Sequence, residues 1–177
     1  DYRIKQLRKL RSLIQSHQKE ISEAVRMDFR KPAFESYLSE EGFVLAEIDF
    51  ILKHLKKWAS PKRLPSNILN FPSSSRLYHE PYGISLIMAP WNYPFQLTIN
   101  PLAGSMAAGN CAVIKPSELA PATSRVVARL INEHFPSEYI SVQEGDAEVA
   151  TNLLQEKWDY IFFTGSRQIG KIVARSA

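Results

Sequence analysis

An asparagine directly after a short apolar run is the first residue of this sequence whose type and position could serve chemistry. Asn92 lies in the segment Trp91-Asn92-Tyr93-Pro94, which follows the run ISLIMAP. At the end of a buried strand, its side-chain amide could donate a hydrogen bond to an oxyanion that forms during a reaction. The aromatic side chains beside it could line a pocket or belong to the core, and the sequence leaves both roles open.

A second candidate pair is the lysine that ends the run CAVIK and a glutamate three residues later. Lys115 and Glu118 lie on either side of Pro116. At a crevice, the ammonium group could donate to the hydroxyls of a ribose and the carboxylate could accept from them. The alternative is an exposed ion pair that binds no ligand.

A third candidate is the segment GSRQIGK, which runs from Gly165 to Lys171. It matches the spacing GxxxxGK of a phosphate-binding loop between a strand and a helix, but Ile172 stands where that loop needs Ser or Thr to bind Mg²⁺. What remains is a turn whose free N–H groups could bind a phosphate. Alternatively, Ser166 simply caps a helix. The sequence contains no GxGxxG motif.

Cys111 is the only thiol, and it begins the apolar run Cys-Ala-Val-Ile. No His or Asp is close to it in sequence, so we interpret it as a strand residue and not as a nucleophile. A single cysteine excludes an intrachain disulfide, and the four histidines are scattered without the spacing of a metal site.

The elements that must position these residues alternate between strands and helices. The runs ISLIMAP, CAVIKP, ISVQEG and YIFFTGS have strand length, and helical patterns separate them, one of which begins at Pro121. This alternation predicts a parallel sheet. The fold class is therefore α/β, with a helical N-terminal region followed by part of a doubly wound, Rossmann-like sheet. Ligands of such sheets bind beyond the carboxyl ends of the strands, where all three candidates fall.

We predict three parts in the chain. Residues 1–60 carry apolar residues at helical spacing, interrupted at Lys31-Pro32. Residues 61–83 are rich in Pro, Ser and Asn and contain the short β segment RLYHEPYG, and residues 84–177 hold the sheet. The sequence opens and ends inside helical patterns and lacks an initiator Met, so we expect a piece of a longer protein.

The composition is that of a globular protein, with 45% hydrophobic and 23% charged residues in 177. The net charge is +4, and the basic excess is confined to residues 1–31. This pattern indicates a solvated helix face and no nucleic-acid partner. No apolar run reaches the roughly 20 residues of a membrane span, and the opening DYRIKQLRKL does not have the pattern of a signal peptide. We expect a soluble, cytoplasmic protein.

The segments APWNYPFQLTINPLAGSMAAGNCAVIKPSELAP and YIFFTGSRQIGK, in this order, resemble the NAD(P)⁺-dependent aldehyde dehydrogenase superfamily. Within it, the chain is similar to class 3, the fatty and aromatic aldehyde type. The resemblance covers nearly the whole chain, including the N-terminal helices and RLYHEPYG. The motifs WNYP, AAGN, KPSE and FTGS are each weak alone, but together and in this order they are specific.

The resemblance implies roles for the polar residues at the strand ends. Asn92 corresponds to the asparagine whose amide stabilises the hemithioacetal oxyanion. Lys115 and Glu118 correspond to residues that contact the adenosine ribose. A carboxylate near the ribose 2′-hydroxyl favours NAD, and NADP is possible.

The resemblance also implies the rest of the cofactor site. Gly165 and Ser166 begin the turn and helix whose N-terminus receives the pyrophosphate. Ile169 and Gly170 pack close to the cofactor. The cofactor site that we predict also includes the strand-end residues Ala89, Pro90 and Trp91.

The implied activity is oxidation of an aldehyde to a carboxylic acid through a thiohemiacetal on a cysteine. In the family, this cysteine and the general-base glutamate lie beyond the part that this chain resembles, and Cys111 occupies a strand position. We therefore expect the chain alone to be inactive. The family's hairpin implies a homodimer through a segment that begins near Arg76 and ends near Gly83. The alternatives are an inactive nucleotide-binding module and a P-loop-like ATP binder.

Overall fold

The structure is a computed structural model that describes residues 2–177. Its first part is helical because apolar residues recur every three to four positions and so share one helix face. Leu7, Leu10 and Ile14 form such a face on the first helix and are buried. The helices are α1 (Tyr2–Ser16), α2 (Gln18–Phe29), α3 (Ala33–Ser36) and α4 (Gly42–Trp58).

Two local features set the path between α2 and α4. Arg30 ends α2 in the left-handed conformation, with φ of 57°, and Pro32 follows before α3. A π-helical turn, Tyr37–Glu41, then joins α3 to α4. Such turns occur frequently at functional sites, and this one carries two buried carboxyl groups, those of Glu40 and Glu41.

The predicted β segment after residue 60 is a small antiparallel hairpin that is separate from the main sheet. Its strands are β1 (Lys62–Leu64) and β2 (Ser75–Leu77). A 3-10 turn, Ile68–Asn70, lies between them and exposes its apolar side chains. Only the beginning of RLYHEPYG is in a strand, because the chain leaves the ladder after Leu77.

The main sheet has four parallel strands in the order β5-β4-β3-β6. The alternation of strands and helices that the sequence predicts is confirmed, as is the α/β fold class. In chain order the elements are β3 (Ile84–Met88), α5 (Gln96–Ala108), β4 (Cys111–Lys115), α6 (Pro121–His134), β5 (Ile140–Val142), α7 (Ala147–Leu153), β6 (Tyr160–Phe163) and α8 (Arg167–Ser176).

The two faces of the sheet pack against different sets of helices, because successive strand residues point to opposite faces. Ile87 and Ile114 belong to a large core that also contains residues of α1, α4, α5 and α6. Leu86 and Met88 belong to a small core in which Val173 of α8 is the only other fully buried residue among those described. On the first face, β6 is left open beside α5, where a cavity of about 460 Å³ reaches Phe162.

Candidate functional site

The carboxyl ends of three strands lie level with one another. Met88 at the end of β3 is paired with Lys115 of β4 and with Phe163 of β6. The N–H of Ala89 donates to the carbonyl of Lys115 at 3.1 Å, and the N–H of Thr164 donates to the carbonyl of Met88 at 3.1 Å. The structure therefore brings the candidate segments after β3, β4 and β6 to one edge of the sheet.

This edge contains a point where the strand order reverses. The chain proceeds from β3 outward to β4 and β5, and then returns to place β6 on the other side of β3. In parallel sheets, such a reversal opens a crevice beyond the strand ends in which ligands bind. The segment after β3, which contains Ala89, Pro90, Trp91 and Asn92, leaves the sheet at this crevice.

Asn92 presents its side-chain amide to the outside. Within residues 2–177, no group forms a hydrogen bond with this amide, although the backbone carbonyl of Asn92 accepts one from Lys31 Nζ at 3.4 Å. Trp91 and Tyr93 are about half exposed, at 51% and 41%. The two aromatic residues are therefore not core residues, and both N–H groups of the Asn92 amide are available to a ligand.

Two residues that the sequence patterns did not reveal, Lys31 and Glu40, hold this segment. Lys31 Nζ lies 2.8 Å from Glu40 Oε1, and Glu40 Oε2 accepts from the N–H groups of Phe95, at 3.2 Å, and Gln96, at 2.9 Å. These two N–H groups begin α5. The only sequence signals were a lysine before a proline and a pair of acidic residues inside a helical pattern, and neither points to a site.

Lys115 and Glu118 form an ion pair, with 2.7 Å between Nζ and Oε2. The lysine side chain is only 5% exposed, whereas the glutamate is 44% exposed. Burial raises the pKa of Glu118, but the hydrogen bonds from Lys115 and the backbone and the lysine charge outweigh it, so the pKa lies below its usual value. The exposed Glu118 carboxylate is therefore ionised at neutral pH and can accept hydrogen bonds from a ligand.

A pocket of about 180 Å³ adjoins this ion pair. It lies between the segments that follow β4 and β5, beyond the carboxyl ends of the strands, where the ligands of parallel sheets bind. Its lining residues are Pro116, Ser117, Glu118, Pro121, Ser124, Glu144 and Gly145.

The turn between β6 and α8 is built around the ring of Phe163. A Cβ atom on Gly165 would lie 2.4 Å from Phe163 Cζ, so a glycine fits there without displacing the ring. Ser166 is the N-cap of α8, and its hydroxyl accepts from the N–H of Ile169 at 3.4 Å. Ile169 is exposed and Gly170 is half-buried, so both remain accessible next to the turn. The capping role of Ser166 is seen directly.

Cys111 lies at the wrong end of its strand for this site. It begins β4, whereas Lys115 ends it, and four residues of strand separate the two by about 13 Å. Its side chain is half-buried, and its place in β4 agrees with the interpretation as a strand residue. Cys111 is therefore not placed to act on a group bound near Asn92.

Residues 2–177 contain no cluster of three or more His, Cys, Asp or Glu side chains that could hold a metal ion. Over the same residues, no helix has the length and apolar character needed to cross a membrane.

The fold and the strand-end site define a Rossmann-like α/β domain of the kind that binds a dinucleotide. The chain belongs to the aldehyde dehydrogenase family, because the model of that family matches residues 1–177. It is 47% identical over 176 residues to 4,4'-diaponeurosporen-aldehyde dehydrogenase of Staphylococcus aureus, covering 99% of this chain and 38% of that protein. It is 39% identical to aldehyde dehydrogenase family 3 member H1 of Arabidopsis thaliana, and the match covers 100% of this chain and 37% of that protein.

Solved structures agree with this assignment. The substrate-bound state of Staphylococcus aureus AldH superposes with a TM-score of 0.97 at 46% identity, covering 99% of this chain and 38% of that one. The NAD⁺ complex of an aldehyde dehydrogenase from Bacillus cereus shares the fold, with a TM-score of 0.86 at 23% identity. The match covers 99% of this chain and 35% of that one. The class 3 resemblance is thus confirmed, and the chain spans about 38% of the length of the relatives cited first.

Proposed function

We propose that this chain forms the cofactor site and supplies the oxyanion donor of an NAD(P)⁺-dependent enzyme that oxidises an aldehyde to a carboxylic acid. The observation that carries the proposal is the unpartnered amide of Asn92, held at the same sheet edge as the Lys115–Glu118 pair. The cysteine thiolate that adds to the aldehyde would come from outside these residues, because Cys111 is the single thiol and lies at the opposite end of β4.

Asn92 would act when the thiolate adds to the aldehyde carbonyl. The carbonyl oxygen then gains a negative charge, and an amide N–H that is already in place stabilises it without reorganising. Bound NAD(P)⁺ would supply the hydride acceptor. Water would finally release the carboxylic acid from the oxidised adduct and restore the thiol.

The described residues fit the cofactor. Glu118 is exposed and ionised, so it would accept hydrogen bonds from the adenosine ribose, while Lys115 Nζ has further protons to donate. The accessible N-terminus of α8, at Ser166, would receive the pyrophosphate. Gly165, Ile169 and Gly170 would leave room for its approach.

Glu118 also bears on the choice of cofactor. Its carboxylate would accept from a ribose 2′-hydroxyl and would repel a 2′-phosphate. We therefore propose NAD as the main cofactor and NADP as a weaker alternative. Titration of the protein with NAD⁺, NADP⁺ and ATP checks this, and Mg²⁺-dependent binding of ATP alone would instead support a P-loop-like ATP binder.

The segment from Arg76 to Gly83, together with the hairpin whose second strand it begins in, is the surface that we propose for homodimer formation. The strands of the hairpin and the turn between them expose Leu64, Ile68, Leu69, Phe71 and Leu77, which are apolar side chains that a second subunit would cover. As expected from the sequence, we also propose that the protein acts in the cytoplasm, where a single unpaired cysteine stays reduced.

The test of the proposed activity is Asn92→Ala in the protein that carries these residues and the thiol. Loss of one oxyanion donor is expected to lower kcat by about 10²–10³-fold, while NAD⁺ binding stays unchanged. Cys111→Ser serves as the matched control and is expected to retain kcat. Full activity of Asn92→Ala would contradict the proposal, as would protein-dependent aldehyde oxidation by the 177-residue chain alone.

A further inference from the structure

We propose that Glu40 and Lys31 are positioning residues that hold the Asn92 amide in place. The inference rests on the proposed function, because it assigns to Asn92 the role of oxyanion donor. Neither residue is adjacent to Asn92 in sequence, since Lys31 precedes α3 and Glu40 lies in the π-helical turn before α4. Both nevertheless contact the segment that carries Asn92.

Glu40 fixes the end of the segment where α5 begins. Its side chain is fully buried, at 0% exposure. One carboxylate oxygen accepts from Phe95 and Gln96, the two N–H groups at the start of α5, and a negative charge there is favoured by the helix dipole. Any movement of Glu40 would therefore shift the first turn of α5 and the residues just before it.

Lys31 connects Glu40 to the middle of the segment. Its ammonium group lies 2.8 Å from the other Glu40 oxygen and 3.4 Å from the backbone carbonyl of Asn92. It also lies 4.3 Å from the ring centroid of Tyr93, within the range of a cation–π contact. Its side chain is only 13% exposed, so these contacts are largely screened from solvent.

The Asn92 side chain makes no hydrogen bond of its own within residues 2–177, so the position of its backbone decides where the amide can reach. That backbone is anchored to the sheet through Ala89 and to α5 through Glu40, with Lys31 between the two. A buried ion pair contributes little net stability compared with apolar side chains of similar size. The ion pair instead fixes the position of the segment, because a stabilising donor must already point at the oxyanion.

The neighbouring residue Glu41 provides a matched control. It is as buried as Glu40, at 1% exposure, and lies in the same π-helical turn. Its carboxyl group accepts from the Ser36 hydroxyl at 3.2 and 3.1 Å and makes no hydrogen bond to the Asn92 segment within the described residues. Replacing Glu41 therefore perturbs the same turn without touching the segment.

The first experiment records side-chain and backbone amide resonances of the ¹⁵N-labelled 177-residue protein. Glu40→Gln and Lys31→Met are each expected to shift the side-chain amide pair of Asn92, which Asn92→Asp identifies. Glu41→Gln is expected to leave that pair in place. If the Asn92 pair stays unchanged in both test variants, the positioning role is wrong. Should Glu40→Gln fail to fold, Lys31→Met alone decides, because the Lys31 side chain, unlike that of Glu40, is not completely buried.

The second experiment is a double-mutant cycle on kcat in the protein that carries these residues and the thiol. Glu40→Gln is expected to lower kcat by about ten- to one-hundredfold with little change in the aldehyde KM, because a small misplacement of a reacting group has effects of that size. In the Asn92→Ala background, the same substitution is expected to have no further effect. Equal loss in both backgrounds would overturn the inference, because Glu40 would then act independently of Asn92.

The two experiments separate this inference from the proposed function. If Asn92→Ala retains kcat while Glu40→Gln still displaces the Asn92 amide, the oxyanion role fails and the positioning contact stands. If Asn92→Ala lowers kcat while neither Glu40→Gln nor Lys31→Met affects it, the oxyanion role stands and the positioning inference fails.

Discussion

The two faces of the main sheet differ in how much protein covers them. The two halves of the candidate site, at Asn92 and at the Gly165–Ser166 turn, lie on different faces. The face under α5 and α6 is covered again by α1 and α4, so Ile87 and Ile114 lie deep in a large core. The face under α7 and α8 has only Leu86, Met88 and Val173 fully buried among the described residues. We call the face under α5 and α6 the thick side and the face under α7 and α8 the thin side.

Asn92 belongs to the thick side, where α5 and the π-helical turn brace its segment through Glu40. The Gly165–Ser166 turn belongs to the thin side, where it rests on the half-buried ring of Phe163. A donor that stabilises a short-lived charge must be preorganised. That is the role proposed for Asn92, and the bracing of its segment by Glu40 suits it.

The largest expected effect on the free energy of unfolding comes from substitutions at two adjacent residues of β3 that point to opposite faces of the sheet. Ile87→Ala is expected to lower the free energy of unfolding by about 3–5 kcal/mol, and Leu86→Ala by about 2–3 kcal/mol. Both substitutions remove the same number of carbon atoms from a buried site, but the thin side can relax into the space. Urea unfolding measures both free-energy differences, provided that the m-values of the variants equal that of the wild type.

Equal losses of unfolding free energy in Ile87→Ala and Leu86→Ala would show that the two faces are equally tightly packed. A larger loss for Leu86→Ala would reverse the contrast between the faces.

A smaller effect is expected from two glycines that face the Phe163 ring. Gly165→Ala would bring a Cβ to 2.4 Å from the ring, so we expect it to cost about 1–2 kcal/mol and to weaken NAD⁺ binding. Gly170→Ala would place its Cβ at 3.4 Å, an ordinary contact, and would gain up to about 1 kcal/mol from helix propensity. Thermal unfolding without cofactor is the measurement, and a loss for both variants would show that the thin side is as rigid as the thick one.

The smallest effect concerns the pH dependence of stability. Burial raises the pKa of Glu41, and the neighbouring Glu40 charge adds to it, against hydrogen bonds from the backbone and Ser36 and the attraction of Lys31. A carboxyl group with a raised folded-state pKa costs stability as pH rises from its unfolded value, about 4.3, through the folded value. Glu41→Gln is therefore expected to be more stable than the wild type at pH 7 and to lose this difference near pH 4.

Glu118, in the part of the site that we propose for the cofactor, is expected to change the pH dependence of stability in the opposite direction. Its pKa is lowered, so its contribution is present above the unfolded pKa and disappears as pH falls through the folded one. Because the side chain is 44% exposed, Glu118→Gln is expected to cost less than about 1 kcal/mol at pH 7. Chemical unfolding from pH 4 to 7 compares the two variants, and changes of the same sign would contradict one of the two assignments.

Much of this arrangement could be predicted from local sequence patterns. Each of the four strand-length apolar runs became a strand, and Pro121 begins α6 as its fixed φ favours. Polar residues after the strands identified Asn92, Lys115, Glu118 and Ser166 as candidates, because parallel strands end at a common edge.

The parts that could not be predicted depend on contacts between distant residues. Nothing in YIFF indicates that β6 returns to pair with β3, because strand order is set by how the helices pack. The link from Glu40 to Gln96 spans 56 residues, and the link from Lys31 to Asn92 spans 61. Both depend on the π-helical turn, for which the helical spacing of residues 34–58 gave no signal.

The packing of α1 and α2 against the sheet domain has a consequence for synthesis on the ribosome. α1 contacts α5, α2 contacts α6, and Asp28 of α2 accepts from two N–H groups at the start of α6, at 3.0 and 2.8 Å. At about 5–20 residues per second, the chain between α2 and α6 takes about 5–20 s to emerge. During that interval α4 is available to pack against α1, but the parts of the apolar faces that α5 and α6 will cover stay open. These helices are therefore made before the two helices that complete their burial.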